Sequence, residues 1–382
     1  MVTLFFAGDF CCTPSPDPVI VDESLRNRIA ACDFSVCNFE VTLLPIGATP
    51  EEGHFYQHDD CPSFLEAVGF NLFSFSNNHA FDYGVAGWQK TVSAFRNKAF
   101  GSGKYEEAYS LKIVEKGHLK IGFLALCYAA RTGVFDNVTD RDGYGCGWIN
   151  DLKVNHVILE ARKTVDVLVV MPHDGIEYID VPLPETMARY RDFIDYGADV
   201  VVGTHPHCPQ GWEYYHGKPV FYSLGNFFFN SKQDYSYRAW NRPHWYEGLC
   251  VVLSIDEEQP STMTFELVYT RNVDNLGLKI DTSPEREEHS KRLNAYLADK
   301  TLYDSYLKKA LLPLMQEQEL PILDGSFHRS TLKGAGKKWF RSCLRALLGK
   351  RVANDGPVSR LLRNDTRRRA IIRMMEKGYL EK

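Results

Sequence analysis

Residues able to do chemistry recur at short intervals along this chain: Asp9, Glu40, Asn78-His79, His173 and the pair His205 and His207. The H-P-H pair follows the apolar run Asp199 to Val202, so its two imidazoles can point into one crevice. Open α/β sheets bind ligands outside the carboxyl ends of their strands. Taken alone, two surface histidines in a Pro-flanked loop explain the pair equally well, because a motif match is only a hypothesis. The other residues change that balance by where they stand. Asp9, Glu40, Asn78 and His173 also end short apolar runs. Any one of them reads as a helix cap or turn residue, but caps do not call for histidine and glutamate. Carboxylates, neutral imidazoles and an amide oxygen make a mixed N/O donor set that suits Mn, Fe, Zn or Ni. Two such cations roughly 3.5–4 Å apart polarise a phosphoryl oxygen and deprotonate a shared water. An imidazole nearby can protonate the leaving oxygen.

The elements that must position these residues alternate between strand and helix. Strands are expected over Val2–Ala7, Phe34–Phe39, Phe70–Phe75, 111–114, 119–126, Val165–Met171, Asp199–Val202 and Val220–Ser223, with a closing pair at 249–255 and 263–269. Val165–Met171 is β-branched and apolar throughout, as expected of a strand buried on both faces. Helical spacing marks Pro62–Val68, Val85–Ala99, Val154–Lys163 and Glu185–Tyr196, and one or two helices over Glu285–Gln318. Residues 128–150 show no clear period and read as a Gly- and aromatic-rich loop. Alternating strands and helices imply an α/β fold.

The 382 residues suffice for one large domain with an appendage, expected as 1–275 and 276–382. The net charge of −5 conceals an asymmetry. Residues 333–382 hold 15 Lys/Arg against 4 Asp/Glu, a net of +11, which leaves −16 on the rest. Such a body is not expected to bind nucleic acid; the tail suits an anionic partner. Within the tail, Trp339, Phe340, Cys343, Leu344, Leu347 and Leu348 share one helical stripe, with Lys337, Lys338, Arg341 and Arg345 opposite. A basic amphipathic helix of this kind lies on an anionic membrane or docks on an acidic surface. Arg367-Arg368-Arg369 reads as a solvated face or a phosphate patch. The ten cysteines include no C-x-x-C pair, and Cys37, Cys127 and Cys250 sit in apolar runs as small hydrophobes. No apolar run reaches the roughly 18 residues of a membrane span, and Val2–Ala7 lacks the marks of a signal peptide. The expected location is the cytoplasm, with peripheral contact to the inner membrane face through 333–382.

The ordered blocks G-D (8–9), N-F-E (38–40), S-N-N-H-A-F-D-Y-G (76–84), G-S-G-K-Y-E-E-A (101–108), H-D-G-I-E-Y (173–178), G-T-H-P-H (203–207) and Y-S-L-G-N-F (222–227) resemble the CapA-type capsule biosynthesis proteins, associated with poly-gamma-glutamate. That family looks like a branch of the calcineurin-like metallophosphoesterases. The resemblance covers about residues 1–270 and implies a four-layer α/β/β/α sandwich holding two divalent metal ions, Mn, Fe or Zn. By the superfamily's roles, Asp9 and His207 would bind the first metal, Glu40 would bridge, and Asn78, His173 and His205 would bind the second. His79 would stand beside the site as proton donor or phosphate contact, with Asp82 next to it. Asn38, Asp82, Asp174, Glu177 and Asn226 would orient the ligands. Two departures concern the first metal: Cys11 stands where the superfamily has histidine, and Glu40 where it usually has Asp. The resemblance implies a phosphoesterase-like hydrolase acting on a small or lipid-linked phosphorylated substrate in capsule or polymer synthesis. The alternative is a metal-stabilised, non-catalytic subunit working among capsule assembly proteins.

Overall fold

Strands rich in Val, Ile, Leu and Phe that are buried at nearly every position must sit inside the molecule with both faces covered. The computed structural model shows this arrangement and describes residues 1–13, 19–50, 55–129, 133–136, 142–230, 244–273 and 277–318. In chain order the first elements are β1 (Val2–Cys11), β2 (Ile20–Val21), α1 (Glu23–Ala30), β3 (Phe34–Phe39), α2 (Cys61–Val68), β4 (Leu72–Ser74), α3 (Gly84–Ala94) and β5 (Ala99–Phe100). There follow β6 (Ser102–Lys104), α4 (Tyr105–Ala108), β7 (Lys112–Lys116), β8 (Leu119–Cys127), β9 (Tyr144–Cys146), α5 (Leu152–Ala161), β10 (Val167–His173) and α6 (Pro184–Tyr196). The rest are β11 (Val200–Val202), β12 (Trp212–Tyr215), β13 (Lys218–Phe221), β14 (Asn226–Phe229), β15 (Glu247–Ile255), β16 (Met263–Val273), β17 (Gly277–Ile280), α7 (Pro284–Ala298) and α8 (Lys300–Gln318).

One sheet runs β2-β17-β16-β15-β1-β3-β4-β5, with β14 pairing β1 as well. The other runs β12-β13-β11-β10-β8-β7. Alternation along the central strands shows how they stack. Leu4 and Phe6 of β1 join Phe123 of β8 and Val167 and Val169 of β10 in one apolar cluster between the sheets. The Phe6 and Phe123 rings stand 6.4 Å apart across that layer. The intervening Phe5 and Ala7 pack outward with Leu25 and Ile29 of α1 and Leu65 of α2. Leu168 and Val170 of β10 pack outward with Ile158 of α5 and Phe193 of α6. Helix, sheet, sheet and helix therefore form four layers, as the family resemblance implied.

Parallel pairing aligns the carboxyl ends of the strands that matter. β1, β3 and β4 are mutually parallel, and so are β8, β10, β11 and β13. Three differences from the expected elements have local causes. β1 does not stop at Ala7 but continues through Asp9 to Cys11, because β14 gives its end a parallel partner, Asp9 opposite Asn226. Gly8 permits that approach: a Cβ there would lie 1.9 Å from the Gly225 carbonyl oxygen. The helix expected to reach Ala99 ends at Ala94, since Arg96 and Asn97 take φ of 48° and 69° and turn the chain into β5. Within 128–150, Tyr144–Cys146 pairs with β6.

The chain divides into a unit of Met1–Asp299, which takes in β17 and α7, and a unit of Lys300–Lys382, whose described part is α8. The Trp339–Leu348 stripe, Arg367–Arg369 and the basic stretch 333–382 lie outside the described residues. Among the described residues no helix is long and apolar enough to cross a membrane.

Candidate metal centre

Asp9 lies in β1, Glu40 directly after β3, Asn78 after β4, His173 at the end of β10, and His205 and His207 after β11. The stacked sheets bring these strand ends together. All six residues are buried. The backbone is strained where they are presented: His205 and His207 have φ of 99° and 57°, and Val41, beside Glu40, has 76°. Left-handed conformations in non-glycine residues cost of order 1–3 kcal/mol each and persist where the surroundings impose them. Gly203 lets β11 pass close to the neighbouring chain, since a Cβ there would lie 2.2 Å from the Tyr222 carbonyl oxygen.

The donors fall into two groups. In the first, His207 Nδ1 is 3.5 Å from Asp9 Oδ2, and His207 Nε2 is 3.5 Å from Glu40 Oε1. One donor atom from each of these three residues lies within 4.8 Å of the others. In the second, His173 Nε2 is 2.9 Å from Asn78 Oδ1 and 3.1 Å from His205 Nδ1. His173 Nδ1 is 3.8 Å from Asp9 Oδ1, which links the groups.

Electrostatics tests whether these residues suit a cation. Both oxygens of Glu40 are buried without a hydrogen-bond partner. Burial, reinforced by the charges of Asp9, Glu177 and Asp82, pushes the Glu40 carboxyl well above its usual range. Burial also raises Asp9, against the favourable influence of His207 and hydrogen bonds from Asn38 and the His205 amide. His173 is driven well below the usual imidazole value by burial and by His205, His207 and His79, so it stays neutral. Buried carboxylates close together are unfavourable as bare anions, and a neutral imidazole keeps a free lone pair; a divalent cation in place of protons satisfies both. The donor set fits a metal.

The orienting residues are distributed unevenly. Asn38 Nδ2 donates to Asp9 Oδ1 at 2.8 Å. Asn226 Oδ1 is 2.9 Å from His207 Nδ1, and its amide nitrogen donates to the Trp245 carbonyl. Glu177 acts on Glu40 through its charge. Asp174 instead accepts from Thr186 Oγ1 at 2.9 Å, tying the strand end to α6. His79 Nδ1 is 2.7 Å from Asp82 Oδ2, with 12% and 6% of the two side chains exposed, so this pair is nearer solvent than the cluster it adjoins. Cys11 is buried among Val41, Phe229 and Trp245. Burial and nearby Glu40 push its thiol well above the ordinary value, so it packs as a protonated hydrophobe.

Sequence reasoning passed over several contributors. Thr204 Oγ1 lies 3.0 Å from His173 Nδ1. Asn77 donates to Asn38 and to the Phe39 carbonyl, and its side-chain oxygen receives the His79 amide. Gln57 donates to the Glu40 carbonyl at 2.5 Å. Thr204 and Asn77 stand inside quoted motifs and could have been found there. Gln57 carries no such signal, nor does Trp245, whose ring is 5.1 Å from that of His207.

A model of the bacterial capsule synthesis protein PGA_cap family matches residues 3–231. The chain belongs to that family. The matched span contains all six proposed donors, with His79 and Asp82. The chain is 31% identical over 210 residues to the PGA biosynthesis protein CapA of Bacillus subtilis (strain 168), covering 52% of this chain and 54% of that one. It is 28% identical over 185 residues to the capsule biosynthesis protein CapA of Bacillus anthracis, covering 46% and 44%. The chain thus spans about half the length of the curated relatives it matches. A 5'-nucleotidase from Candida albicans SC5314 superposes with a TM-score of 0.41 at 11% identity, covering 81% of this chain and 57% of that one.

Proposed function

We propose that this member of the capsule synthesis family is a metal-dependent phosphoester hydrolase serving capsule or extracellular polymer biosynthesis. The observation that carries the reading is the His79–Asp82 pair beside the buried donor cluster. Holding a metal needs the cluster alone; a carboxylate-oriented imidazole nearer solvent is what a leaving group needs. Asp9, Glu40 and His207 would hold one divalent ion, and Asn78, His173 and His205 a second. Glu40, whose two oxygens have no hydrogen-bond partner, is suited to bridge. Two bound cations supply a Lewis acid for the phosphoryl oxygens and a nucleophile from water at neutral pH.

The chain's own residues do the rest. Asn38 fixes one oxygen of Asp9, and the His205 amide donates to the other at 3.1 Å. Thr204 and Asn226 set the rings of His173 and His207. Asp82 accepts from His79 Nδ1, which leaves Nε2 to carry the proton given to the leaving oxygen. Phe229 and Trp245 pack around His207 and keep water from that side.

A non-catalytic, metal-stabilised subunit is the second reading. It is favoured by Cys11, a buried thiol where the superfamily pattern places a histidine. Assay of the purified protein with Mn against phosphomonoesters and phosphodiesters separates the two. The hydrolase reading requires turnover that His79→Ala lowers by about 10²–10⁴-fold while metal content stays unchanged. Loss of metal from His79→Ala, or activity equal to wild type, would reject it.

A further inference from the structure

At the end of β1 two adjacent cysteines pack in different surroundings. Cys11 lies among Val41, Phe229 and Trp245, beside the main centre. Cys12 packs in the outer core with Cys61, the first residue of α2, and with Leu65 one turn further along that helix. Backbone hydrogen bonds join the two segments. The His58 amide donates to the Cys12 carbonyl at 3.0 Å, and the Cys61 amide donates to the His58 carbonyl at 3.0 Å. Cys61 Sγ lies 3.5 Å from the Cys12 carbonyl oxygen, and the two thiols are hydrogen-bond partners. Asn230 Nδ2 donates to Cys12 Sγ at 4.0 Å.

The pair divides into a nucleophile and a partner. The thiolate, not the thiol, is the reactive form of cysteine. The hydrogen bond from Cys61 lowers the Cys12 thiol below its ordinary value, against the effect of burial. The same bond, together with burial, pushes Cys61 well above that value. Other buried cysteines behave differently. Burial raises Cys37 well above the ordinary value and Cys146 and Cys250 to about 12, so these stay protonated. Exposure separates them in the same way: Cys12 keeps 8% of its surface, whereas Cys11, Cys37, Cys146 and Cys250 keep 0%. An accessible thiolate next to a second thiol is the arrangement in which oxidation ends in a disulfide.

We propose that Cys12 and Cys61 are a site of reversible oxidative modification, closing to a disulfide when the protein meets a peroxide. The Cys12 sulfur attacks one oxygen of hydrogen peroxide and the O–O bond breaks. Cys12 becomes a sulfenic acid, and the other oxygen leaves as hydroxide, which takes up the proton that Cys12 had released. Cys61 then gives its proton to the sulfenic hydroxyl, which departs as a second water while the Cys61 sulfur bonds to the Cys12 sulfur. The two cysteines lose two electrons and the peroxide gains them. A thiol reductant reopens the bond by exchange. The site adjoins the main centre through Gln57, whose side-chain oxygen accepts from the Cys12 amide at 3.0 Å and whose amide donates to the Glu40 carbonyl. Oxidation therefore fastens the start of α2 to the end of β1 where Gln57 supports Glu40.

The test treats the full-length reduced protein with stoichiometric hydrogen peroxide, alkylates the thiols that remain and maps a non-reduced digest by mass spectrometry. The expected result is a cross-link between Cys12 and Cys61, with the loss of two free thiols per chain and their recovery on adding dithiothreitol. Cys11→Ala should form the same cross-link as wild type. Cys61→Ser should stop at a sulfenic acid on Cys12, which dimedone captures. The wild-type map needs no variant, so a substitution that impairs folding does not decide the outcome. The proposal is overturned if Cys12 and Cys61 are both recovered alkylated after peroxide, or if Cys12 is found joined to Cys11. It is overturned equally if folded Cys61→Ser leaves Cys12 without dimedone, since the pair would then be two packed thiols and no more.

Discussion

Glu40 is the residue on which the main centre turns. A buried carboxylate with no hydrogen-bond partner at either oxygen costs free energy in the absence of a cation. Its raised pKa gives the sign. Between the ordinary value of 4.5 and the raised folded value, the folded state binds more protons than the unfolded one. In the metal-free protein the contribution of Glu40 is therefore fully present below about 4.5 and is lost as pH rises through the folded value. Glu40→Gln should remove much of that slope, so the metal-free variant should melt above metal-free wild type at neutral pH. It should also lose the stabilisation that wild type gains on metal binding, about 2.7 kcal/mol at a hundredfold excess over Kd. Thermal melts across pH, with and without Mn, check both. Competition between protons and metal has a second consequence: metal affinity of wild type should fall as pH is lowered, because Glu40 and Asp9 must lose protons to bind. Isothermal titration at two pH values reads this, and a pH-independent affinity would remove both carboxylates from the ligand set.

Strand ends determine whether these side chains meet, and here a glycine can matter as much as a ligand. β1 and β14 approach at Gly8, and β11 passes Tyr222 at Gly203, with room for hydrogen only. Gly203→Ala should push the His205–His207 turn away from Asp9. Forced contacts in packed regions cost about 1–3 kcal/mol, and contact with backbone lies at or above the upper end. The variant should lose stability and metal together, whereas Gly47→Ala, where a Cβ meets nothing within 4 Å, should keep its metal. The strand ends were legible in the sequence because apolar runs stop abruptly at polar residues, as at Phe39-Glu40 and Val202-Gly203. What was hidden follows from the same physics. β14 reads as a continuation of the Y-S-L-G-N-F block, and only its pairing with β1 makes it a strand. Likewise, Cys12 and Cys61 lie far apart along the chain and form no local pattern; tertiary packing alone makes them neighbours.

At the scale of the whole molecule, the four layers follow from strands that are apolar on both faces, which leaves each sheet needing cover on two sides. The tail follows different rules. Its +11 charge and the Trp339–Leu348 stripe are properties of the sequence, and they suit a surface more than a core. Each Lys or Arg near an anionic leaflet contributes about 1 kcal/mol, a contribution that salt screens within a Debye length of about 8–10 Å. Lys337, Lys338, Arg341 and Arg345 together with Trp339 and Phe340 would give reversible attachment, which would bring the donor cluster near lipid-linked phosphorylated substrates. The expected outcome is that the full chain sediments with vesicles containing phosphatidylserine at low salt and is released at high salt. A chain ending at Leu332 should stay in the supernatant and retain its metal. Replacing Trp339 and Phe340 with Ala should weaken sedimentation at low salt while leaving its salt dependence, since the charges remain. Equal sedimentation of the full and shortened chains would reject attachment through the tail and leave its charge to be matched by an acidic protein surface.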